Sequence, residues 1–225
     1  MKNKKFKAVL FDMDGVLVDS MPYHFISWFE VLRKRGIRVT PADIFEREGA
    51  KWDEVIKFAF KRERRPLSPE TGKKIFEERR ALFAKYFKRY IFADAFIILE
   101  SLKNRGFILG LVTGSSLDEA EKMLPKEIFN LFNGIVAGDM VKRGKPHPDP
   151  YLLAAKNLKL SPSQCFVVEN APYGIKSAKA AKMFCAAVAT SLEKSRLKQA
   201  DIIFDNHGQL YKYFSKSEKP ARMRN

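Results

Sequence analysis

Acidic, amide and hydroxyl side chains follow several apolar runs of the chain, at the points where buried strands are expected to end. They follow the runs KAVLF, ILGLV and CFVV and are Asp12, Asp14, Thr113, Glu169 and Asn170. In an open parallel sheet, ligands bind beyond the carboxyl ends of the strands. These groups are therefore expected to meet at one edge of a sheet.

The carboxylates of Asp12 and Asp14 are separated by a single residue and can project into one crevice. Carboxylates this close repel each other, and a bound cation relieves the repulsion. An all-oxygen set made of Asp12, the carbonyl of Asp14 and Asn170 suits a hard ion such as Mg²⁺, which commonly keeps several waters. The sequence therefore predicts a magnesium site.

Donors for a phosphoryl group come from two further segments. Thr113-Gly114-Ser115 ends the second run, and Lys145 lies in RGKPHPDPY, ahead of the run that ends in Glu169. A hydroxyl, the N–H groups of a turn and an ammonium can bind phosphoryl oxygens while an aspartate acts as nucleophile. We therefore predict phosphoryl transfer, with the substrate also close to Met13, Gly114 and Ser115.

Six short apolar runs are the predicted strands that position these groups. They occupy residues 7–12, 108–113, 134–138, 165–169, 185–189 and 201–204. Strands without polar alternation, separated by helical patterns, indicate a parallel sheet covered on both faces. The predicted fold class is α/β, with a Rossmann-like, doubly wound parallel sheet.

The alternation of strands and helices stops after the first strand, and the pattern up to residue 91 is helical. We therefore predict a helical cap domain over residues 18–91, inserted into a catalytic core made of residues 1–17 and 92–215. Residues 216–225 are basic and lack apolar periodicity. We expect them to form a disordered tail.

Composition limits the partners and the compartment. The 42 Lys and Arg against 26 Asp and Glu give a formal net charge of +16, which favours anionic partners without selecting one class. Cys165 and Cys185 lie within apolar runs, which favours buried free thiols in a reducing compartment. Asp12 and Asp14 interrupt the N-terminal apolar stretch, so it is neither a signal peptide nor a membrane span. We expect a cytoplasmic monomer without a membrane partner.

The four polar segments resemble the motifs of the haloacid dehalogenase-like phosphatase superfamily. The resemblance is to the subgroup with a helical cap after the first strand, which includes β-phosphoglucomutase and many sugar phosphatases. FDMDGVLVDS matches the first motif, LVTGSS the second, RGKPHPDPY the third and VVENAPYGIKSAKAA the fourth, and the resemblance extends to about Phe214.

The resemblance implies a role for each catalytic residue. Asp12 would attack phosphorus and form an aspartyl-phosphate, and Asp14 would protonate the leaving oxygen and then activate water. Thr113 and Lys145 would hold the transferring phosphoryl group. Such a covalent intermediate divides one difficult displacement into two easier ones.

Two departures from the subgroup's pattern bear on the metal and the substrate. Its fourth motif generally reads Glu-Asp, and the second acid binds magnesium, whereas this chain has Glu169 and Asn170. Its mutases have a basic residue before the cap glycine and an arginine three residues after it, where this chain has Glu48 and Trp52. Some phosphatases of the subgroup, including ones that resemble inorganic pyrophosphatases, pair Glu-Gly in the cap with Glu-Asn in the fourth motif. We therefore expect Glu48 to reach the metal when the cap closes and to restore the charge lost at Asn170.

Two further cap residues are candidates by the same resemblance. His24 occupies a position at which the mutases also have histidine, and we expect it to polarise Asp14 or to contact the substrate. Arg79 lies on a cap helix that faces the site and is expected to bind a second anionic group of the substrate.

Together these features predict a Mg²⁺-dependent phosphohydrolase that acts on a small phosphorylated metabolite, such as a sugar phosphate, or on pyrophosphate. A phosphohexomutase is the first alternative, and Glu48 and Trp52 count against it. A non-catalytic module that binds anions or nucleic acid is the second. The intact pair Asp12 and Asp14 counts against that module, because a binding protein does not need both carboxylates.

Overall fold

The structure is a computed structural model and describes residues 6–216. Its six strands are β1 (Ala8–Phe11), β2 (Ile108–Val112), β3 (Gly134–Val136), β4 (Cys165–Glu169), β5 (Phe184–Val188) and β6 (Ile202–Phe204). They form one parallel sheet in the order β3-β2-β1-β4-β5-β6. This order is that of a doubly wound sheet. The predicted fold class is confirmed.

Ten helices occur among the described residues. Four lie between β1 and β2 and belong to the predicted cap: α1 (Met21–Arg33), α2 (Pro41–Phe45), α3 (Trp52–Arg62) and α4 (Pro69–Tyr86). The others are α5 (Ala93–Asn104), α6 (Leu117–Met123), α7 (Lys126–Phe129), α8 (Asp149–Asn157), α9 (Pro172–Ala180) and α10 (His207–Ser215).

Both faces of the sheet are buried, which explains why the strand sequences are apolar without alternation. Successive side chains of a strand point to opposite faces. Accordingly Val9 and Phe11 pack against α5, α6, α7 and α10, whereas Ala8 and Leu10 pack against α8 and α9. The central position of β1 places the residues that follow it between the ends of β2 and β4.

The cap helices have a hydrophobic core of their own. It includes Trp28 from α1, Ile44 from α2, Ile56 from α3 and Ile75 from α4. The short α2 lies outside the three segments whose sequences show a helical pattern, residues 23–36, 52–65 and 69–90. It begins with a capping box in which Asp43 accepts from the Thr40 N–H at 2.8 Å and Thr40 Oγ1 accepts from the Asp43 N–H at 3.3 Å. This exchange satisfies N–H groups that a helix start leaves unpaired.

The two connections between cap and sheet lie side by side. Val18 and Ile91 form an antiparallel bridge. The N–H of Asp19 donates to the carbonyl of Tyr90 at 2.9 Å, and the N–H of Phe92 donates to the carbonyl of Leu17 at 3.0 Å. The predicted domain limits of 18 and 91 stay a prediction, and residues 217–225 of the predicted tail lie outside the described residues.

Two composition-based predictions can be compared with this structure. Cys165 and Cys185 are buried and free, as predicted. Within residues 6–216, no helix combines the length and the apolar character that crossing a bilayer requires.

Candidate active site

Asp12 and Asp14 lie just beyond the end of the central strand β1, and both are buried. The N–H of Asp12 still donates to the carbonyl of Val168 in β4 at 3.0 Å, so its position is fixed by the sheet. The chain then turns at Gly15, whose φ of +78° favours glycine. A Cβ there would also lie 2.0 Å from Nδ2 of Asn170. The turn therefore holds both aspartates against the end of β4.

Lys145 connects the ends of three strands. Its ammonium donates to Oδ1 of Asp12 at 2.6 Å, to Oε1 of Glu169 at 2.6 Å and to the carbonyl of Val112 at 3.2 Å. The hydroxyl of Tyr151 donates to the same Glu169 oxygen at 2.7 Å. All of these side chains are 2 % exposed or less. Charges this deeply buried are stable only when they are paired and hydrogen-bonded.

Burial and the neighbouring charges act on these groups in opposite directions. Burial alone would lower the pKa of Lys145, but the carboxylates of Asp12 and Glu169 outweigh it and raise that pKa. Burial raises the pKa of Asp12 well above its usual value, Lys145 opposes the rise, and Glu169 and Asp14 add to it. A second positive charge beside Asp12 would favour its ionised form.

Three buried side-chain atoms at the ends of β1 and β4 have no hydrogen-bond partner among the described residues. They are Oδ2 of Asp12 and both polar atoms of the Asn170 carboxamide, Oδ1 and Nδ2. A buried polar atom without a partner is costly. By contrast, both oxygens of Glu169 accept hydrogen bonds, since Oε2 accepts from the N–H of Asn170 at 3.0 Å. The unpaired oxygens of Asp12 and Asn170 fit a hard cation.

Asp14 has a different set of partners from Asp12. Its Oδ1 accepts from the Ser20 hydroxyl at 2.5 Å and from Nε2 of His24 at 2.9 Å. Arg79 of α4 donates to the other ring nitrogen, Nδ1. Because an arginine can only donate, Nδ1 of His24 accepts and Nε2 carries the hydrogen that Asp14 receives. The cap thus fixes the tautomer of the histidine that contacts Asp14.

These contacts stabilise the ionised form of Asp14. Burial alone would raise its pKa, but His24, Ser20 and Arg79 together lower that pKa below its usual value. Asp12 and Asp14, two residues apart, therefore have pKa values shifted in opposite directions.

Glu48 lies with Asp14 and His24 in one cluster, in which the potential ligand atoms are within 4.8 Å of one another. Burial raises the pKa of Glu48, and the charge of Asp14 raises it further, while His24, the N–H of Gly49 and Arg79 oppose the rise. The only hydrogen bond of its carboxylate among the described residues is from the N–H of Gly49 at 2.9 Å. Glu48 is therefore the predicted metal ligand that the cap brings to the aspartates.

Glycines allow the cap loop at residues 47–51 to lie directly on the core. Gly49 has a φ of +77°, and a Cβ there would lie 2.5 Å from Cδ of Lys145. A Cβ on Gly114 would lie 2.7 Å from Cα of Gly49. Ala50 also forms a parallel bridge with Lys145. The structure therefore has the cap in contact with Lys145.

The second motif places two hydroxyl groups beside Asp14. Oγ1 of Thr113 lies 3.5 Å and Oγ of Ser115 lies 3.4 Å from Oδ2 of Asp14. The N–H of Ser115 donates to Oγ1 of Thr113 at 3.1 Å. The side chain of Met13 is buried in the core, so only its backbone is available to a ligand.

A cavity of about 310 Å³ lies between cap and core beside these groups. Its lining includes both predicted and unassigned residues, among them His24, Glu48, Trp52, Arg79, Gly114 and Ser115. Cavities of roughly 300 Å³ and more hold small organic ligands. The guanidinium of Arg79 donates a hydrogen bond to Nδ1 of His24. Its binding of a second anionic group of the substrate stays a prediction.

Tyr151 and Ser20 complete the site, and no role was predicted for either. Tyr151 follows Lys145 by six residues in the third motif, and Ser20 ends the first motif. The signal for Tyr151 was weak because an aromatic residue at the start of a helix is most often a packing residue. The hydroxyl of Tyr151 donates to Glu169, and the hydroxyl of Ser20 donates to Asp14.

Comparison with known proteins identifies the family. A family model described as haloacid dehalogenase-like hydrolase matches residues 6–182. The chain belongs to the haloacid dehalogenase-like hydrolases. This confirms the family predicted from the four motifs, and with it that the protein is an enzyme.

Relatives of this hydrolase include phosphatases. Hexitol phosphatase A of Escherichia coli is 30% identical over 210 residues, covering 91% of this chain and 93% of that protein. Protein SUPPRESSOR OF QUENCHING 1, chloroplastic, of Arabidopsis thaliana is 32% identical over 212 residues, covering 92% of this chain but 20% of that much longer protein. A solved structure titled putative β-phosphoglucomutase, from Bacteroides vulgatus, is 33% identical with a TM-score of 0.86, covering 95% of this chain and 89% of that one. Proteins named for hydrolysis and for isomerisation are thus both similar to this chain.

Proposed function

We propose that the protein hydrolyses a small phosphorylated metabolite, such as a sugar phosphate, or pyrophosphate, with Asp12 as nucleophile. The observation that carries this proposal is the contrast between the two aspartates. Asp12 has one oxygen on Lys145 and one oxygen without a partner, whereas Asp14 receives hydrogen bonds from Ser20 and His24. The free oxygen of Asp12 is available for attack on phosphorus.

The proposed reaction has two steps. Asp12 attacks phosphorus, and the bond to the leaving oxygen breaks. Asp14 enters this step protonated, although its contacts with His24 and Ser20 favour the ionised form, and it delivers its proton to that oxygen. Asp14 then takes a proton from a water molecule, which attacks the aspartyl-phosphate and releases phosphate. Thr113, Ser115 and Lys145 donate to the phosphoryl oxygens during both steps.

The proposed metal is Mg²⁺, held by Asp12, the carbonyl of Asp14 and Asn170. The unpaired carboxamide oxygen of Asn170 supports this assignment. Asp12 would contribute the carboxylate oxygen that does not attack phosphorus. When bound, the ion would neutralise charge on the phosphoryl oxygens. Glu169 is part of the proposed metal site because its negative charge lies close to it. Both of its oxygens already accept hydrogen bonds from protein groups.

Glu48 is the proposed cap contribution to the metal site. Asparagine at position 170 supplies an oxygen without a charge, and a second carboxylate would restore that charge. The cluster of Glu48 with Asp14 and His24 supports the proposal, because the cap holds this carboxylate beside Asp14. Closure would also exclude bulk water from the reaction.

Hydrolysis is favoured over isomerisation by the cap. A mutase must hold a second phosphate while the substrate turns, and Glu48 and Trp52 stand where the mutases of the subgroup have cations. The relative named as a hexitol phosphatase also supports hydrolysis. The intact pair Asp12 and Asp14 counts against a module that binds nucleic acid, so we propose no such partner. We also propose a cytoplasmic monomer, and the two free thiols are in keeping with that compartment.

Incubation with β-glucose 1-phosphate and Mg²⁺ tests the choice between hydrolysis and isomerisation. Release of free phosphate supports the hydrolase, and formation of glucose 6-phosphate without free phosphate would identify a mutase. A parallel screen of phosphorylated sugars and pyrophosphate identifies the substrate. Asp12→Asn is the control, and we expect it to lower turnover by about 10⁴-fold or more, since it removes the nucleophile.

A further inference from the structure

A second and larger cavity lies within the cap, between α3 and α4. Its volume is about 620 Å³, and the lining residues belong to the cap alone. The apolar part of the lining consists of Trp52, Ile56, Phe60, Leu67 and Pro69. Cavities of roughly 300–1,000 Å³ with mainly apolar walls are typical of sites for small molecules. The proposed catalytic residues do not contact this cavity.

The charged residues of its lining are mostly positive. They are Asp53, Lys57, Lys61 and Arg65. Asp53 and Lys57 pair with each other at 2.7 Å, so their charges balance. Lys61 and Arg65 are exposed, and neither forms an ion pair with a described residue. One nitrogen of Arg65 donates to the carbonyl of Arg35, which leaves its positive charge without an anion. The cavity therefore combines an apolar interior with two uncompensated positive charges at its edge.

Gly72 of α4 leaves space in the wall of this cavity. A Cβ built on Gly72 would lie 3.7 Å from Cζ3 of Trp52 and 3.9 Å from Cδ1 of Leu67, which is ordinary contact distance. Glycine within a helix is less favourable than alanine, because it loses more backbone freedom on folding. Neither backbone conformation nor crowding requires glycine at this position, and its effect is to leave the cavity open.

We propose that this cavity binds a small amphipathic anion, with an acyl chain or ring between α3 and α4 and an acidic group at Lys61 and Arg65. Apolar walls recognise the chain through burial, and the unpaired cations select a negative head group over a neutral or positive one. The site is separate from the proposed phosphohydrolase reaction. The two cavities share Trp52, which also lines the active-site cavity.

Binding of three probes of equal chain length tests the proposal: octanoate, 1-octanol and octylammonium. Calorimetric titration is expected to show octanoate bound about tenfold more tightly than octylammonium, with 1-octanol between them. Octanoate is expected to change the fluorescence of Trp52, and the change is expected to be lost in Trp52→Phe. Equal binding of octanoate and octylammonium, or no saturable binding of octanoate, would overturn the proposal.

Two pairs of variants locate the site. Gly72→Met is expected to fill the cavity and to abolish binding of octanoate and 1-octanol, whereas Gly72→Ala adds one methyl group and keeps it. Lys61→Glu is expected to weaken the binding of octanoate about tenfold and to leave the binding of 1-octanol unchanged. Lys73→Glu makes the same charge change on α4 outside the cavity lining and is expected to have no effect.

Two further measurements show whether the variants are folded and whether a second copy of the chain covers the cavity. Phosphate release by Gly72→Met and Lys61→Glu is expected to equal that of the wild type, which shows that the variants are folded. Sedimentation at the titration concentrations shows whether a second copy of the chain covers the cavity. Octanoate binding that survives Gly72→Met, or a dimer that octanoate dissociates, would contradict a small-molecule site.

Discussion

The core side and the cap side of the active site are built on opposite principles. On the core side, one ammonium is shared by two buried carboxylates and a tyrosine completes the set, so Lys145, Asp12 and Glu169 depend on one another. On the cap side, Glu48 has a single hydrogen bond, from the adjacent N–H of Gly49.

This difference separates two functions of the site. The core side contains its charges in a closed network that exists without a ligand, which preorganises the phosphoryl-transfer groups. The cap side carries Glu48, whose carboxylate has few partners, and residues that line the cavity between cap and core. We infer that substitutions on the core side affect both stability and chemistry, and that substitutions on the cap side affect chemistry alone.

Lys145→Met gives the largest expected effect. It leaves Asp12 and Glu169 buried without their cation, which we expect to lower the free energy of unfolding by about 3–5 kcal/mol and to abolish turnover. Urea denaturation and phosphate release measure the two effects. Adding Glu169→Gln should recover part of the stability and none of the activity. Wild-type stability in Lys145→Met would show that the core network is not coupled.

Glu48→Gln tests the opposite expectation for the cap. It removes a charge but keeps the shape of the side chain, so turnover should fall by about 10–100-fold and more Mg²⁺ should be required. The free energy of unfolding should stay at the wild-type value. Magnesium titrations of initial rates provide the measurement. Unchanged turnover and magnesium dependence would remove Glu48 from the proposed metal site.

Gly114→Ala perturbs the contact between the two sides. The added methyl group would lie 2.7 Å from Cα of Gly49, and backbone cannot move aside as a flexible side chain can. We expect the cap to be displaced and kcat/KM to fall by about tenfold or more, with little loss of stability. Gly72→Ala is the matched control, since its methyl group meets its nearest atom at 3.7 Å. Equal kinetics of the two variants would contradict a functional cap contact.

Substitution of His207, a buried residue of the core, gives the smallest expected effect. Burial lowers its pKa below the ordinary value of 6.5, although its Nε2 donates to the carbonyl of Val16 at 2.6 Å. The unfolded chain therefore takes up a proton below about pH 6.5 that the folded chain resists, and stability falls as the pH decreases. His207→Gln can keep the hydrogen bond and should lose part of this decline. Identical pH profiles of unfolding would contradict the assignment.

The sequence predicted the strands better than their arrangement. All six strands occur at the predicted positions, because apolar runs between helical patterns are a local signal. The order of the strands follows from long-range packing, which such runs do not encode. The short α2 was missed because a helix of five residues is too short to show periodicity, although Thr40-Pro41 and Asp43 form a recognisable start.

The candidate site shows a similar division. Asp12, Asp14, Thr113 and Lys145 were predicted because polar segments follow several predicted strands in order. The structure brings these side chains together. Of the partners that orient them, His24 was predicted beside Asp14 by the resemblance. Tyr151 and the hydrogen bond between Arg79 and His24 depend on which helices meet in space. A tyrosine or arginine within a helix carries no local sign of that meeting.

The paired entry and exit of the cap have a consequence for how such proteins can change over evolution. Because Val18 and Ile91 are bridged to each other, the two connections lie side by side. The whole inserted segment therefore begins and ends at nearly one point of the sheet. A segment with adjacent ends can be lengthened, shortened or exchanged without moving β1 or the aspartates that follow it. New substrates can thus be explored by replacing a module while the chemistry stays in place.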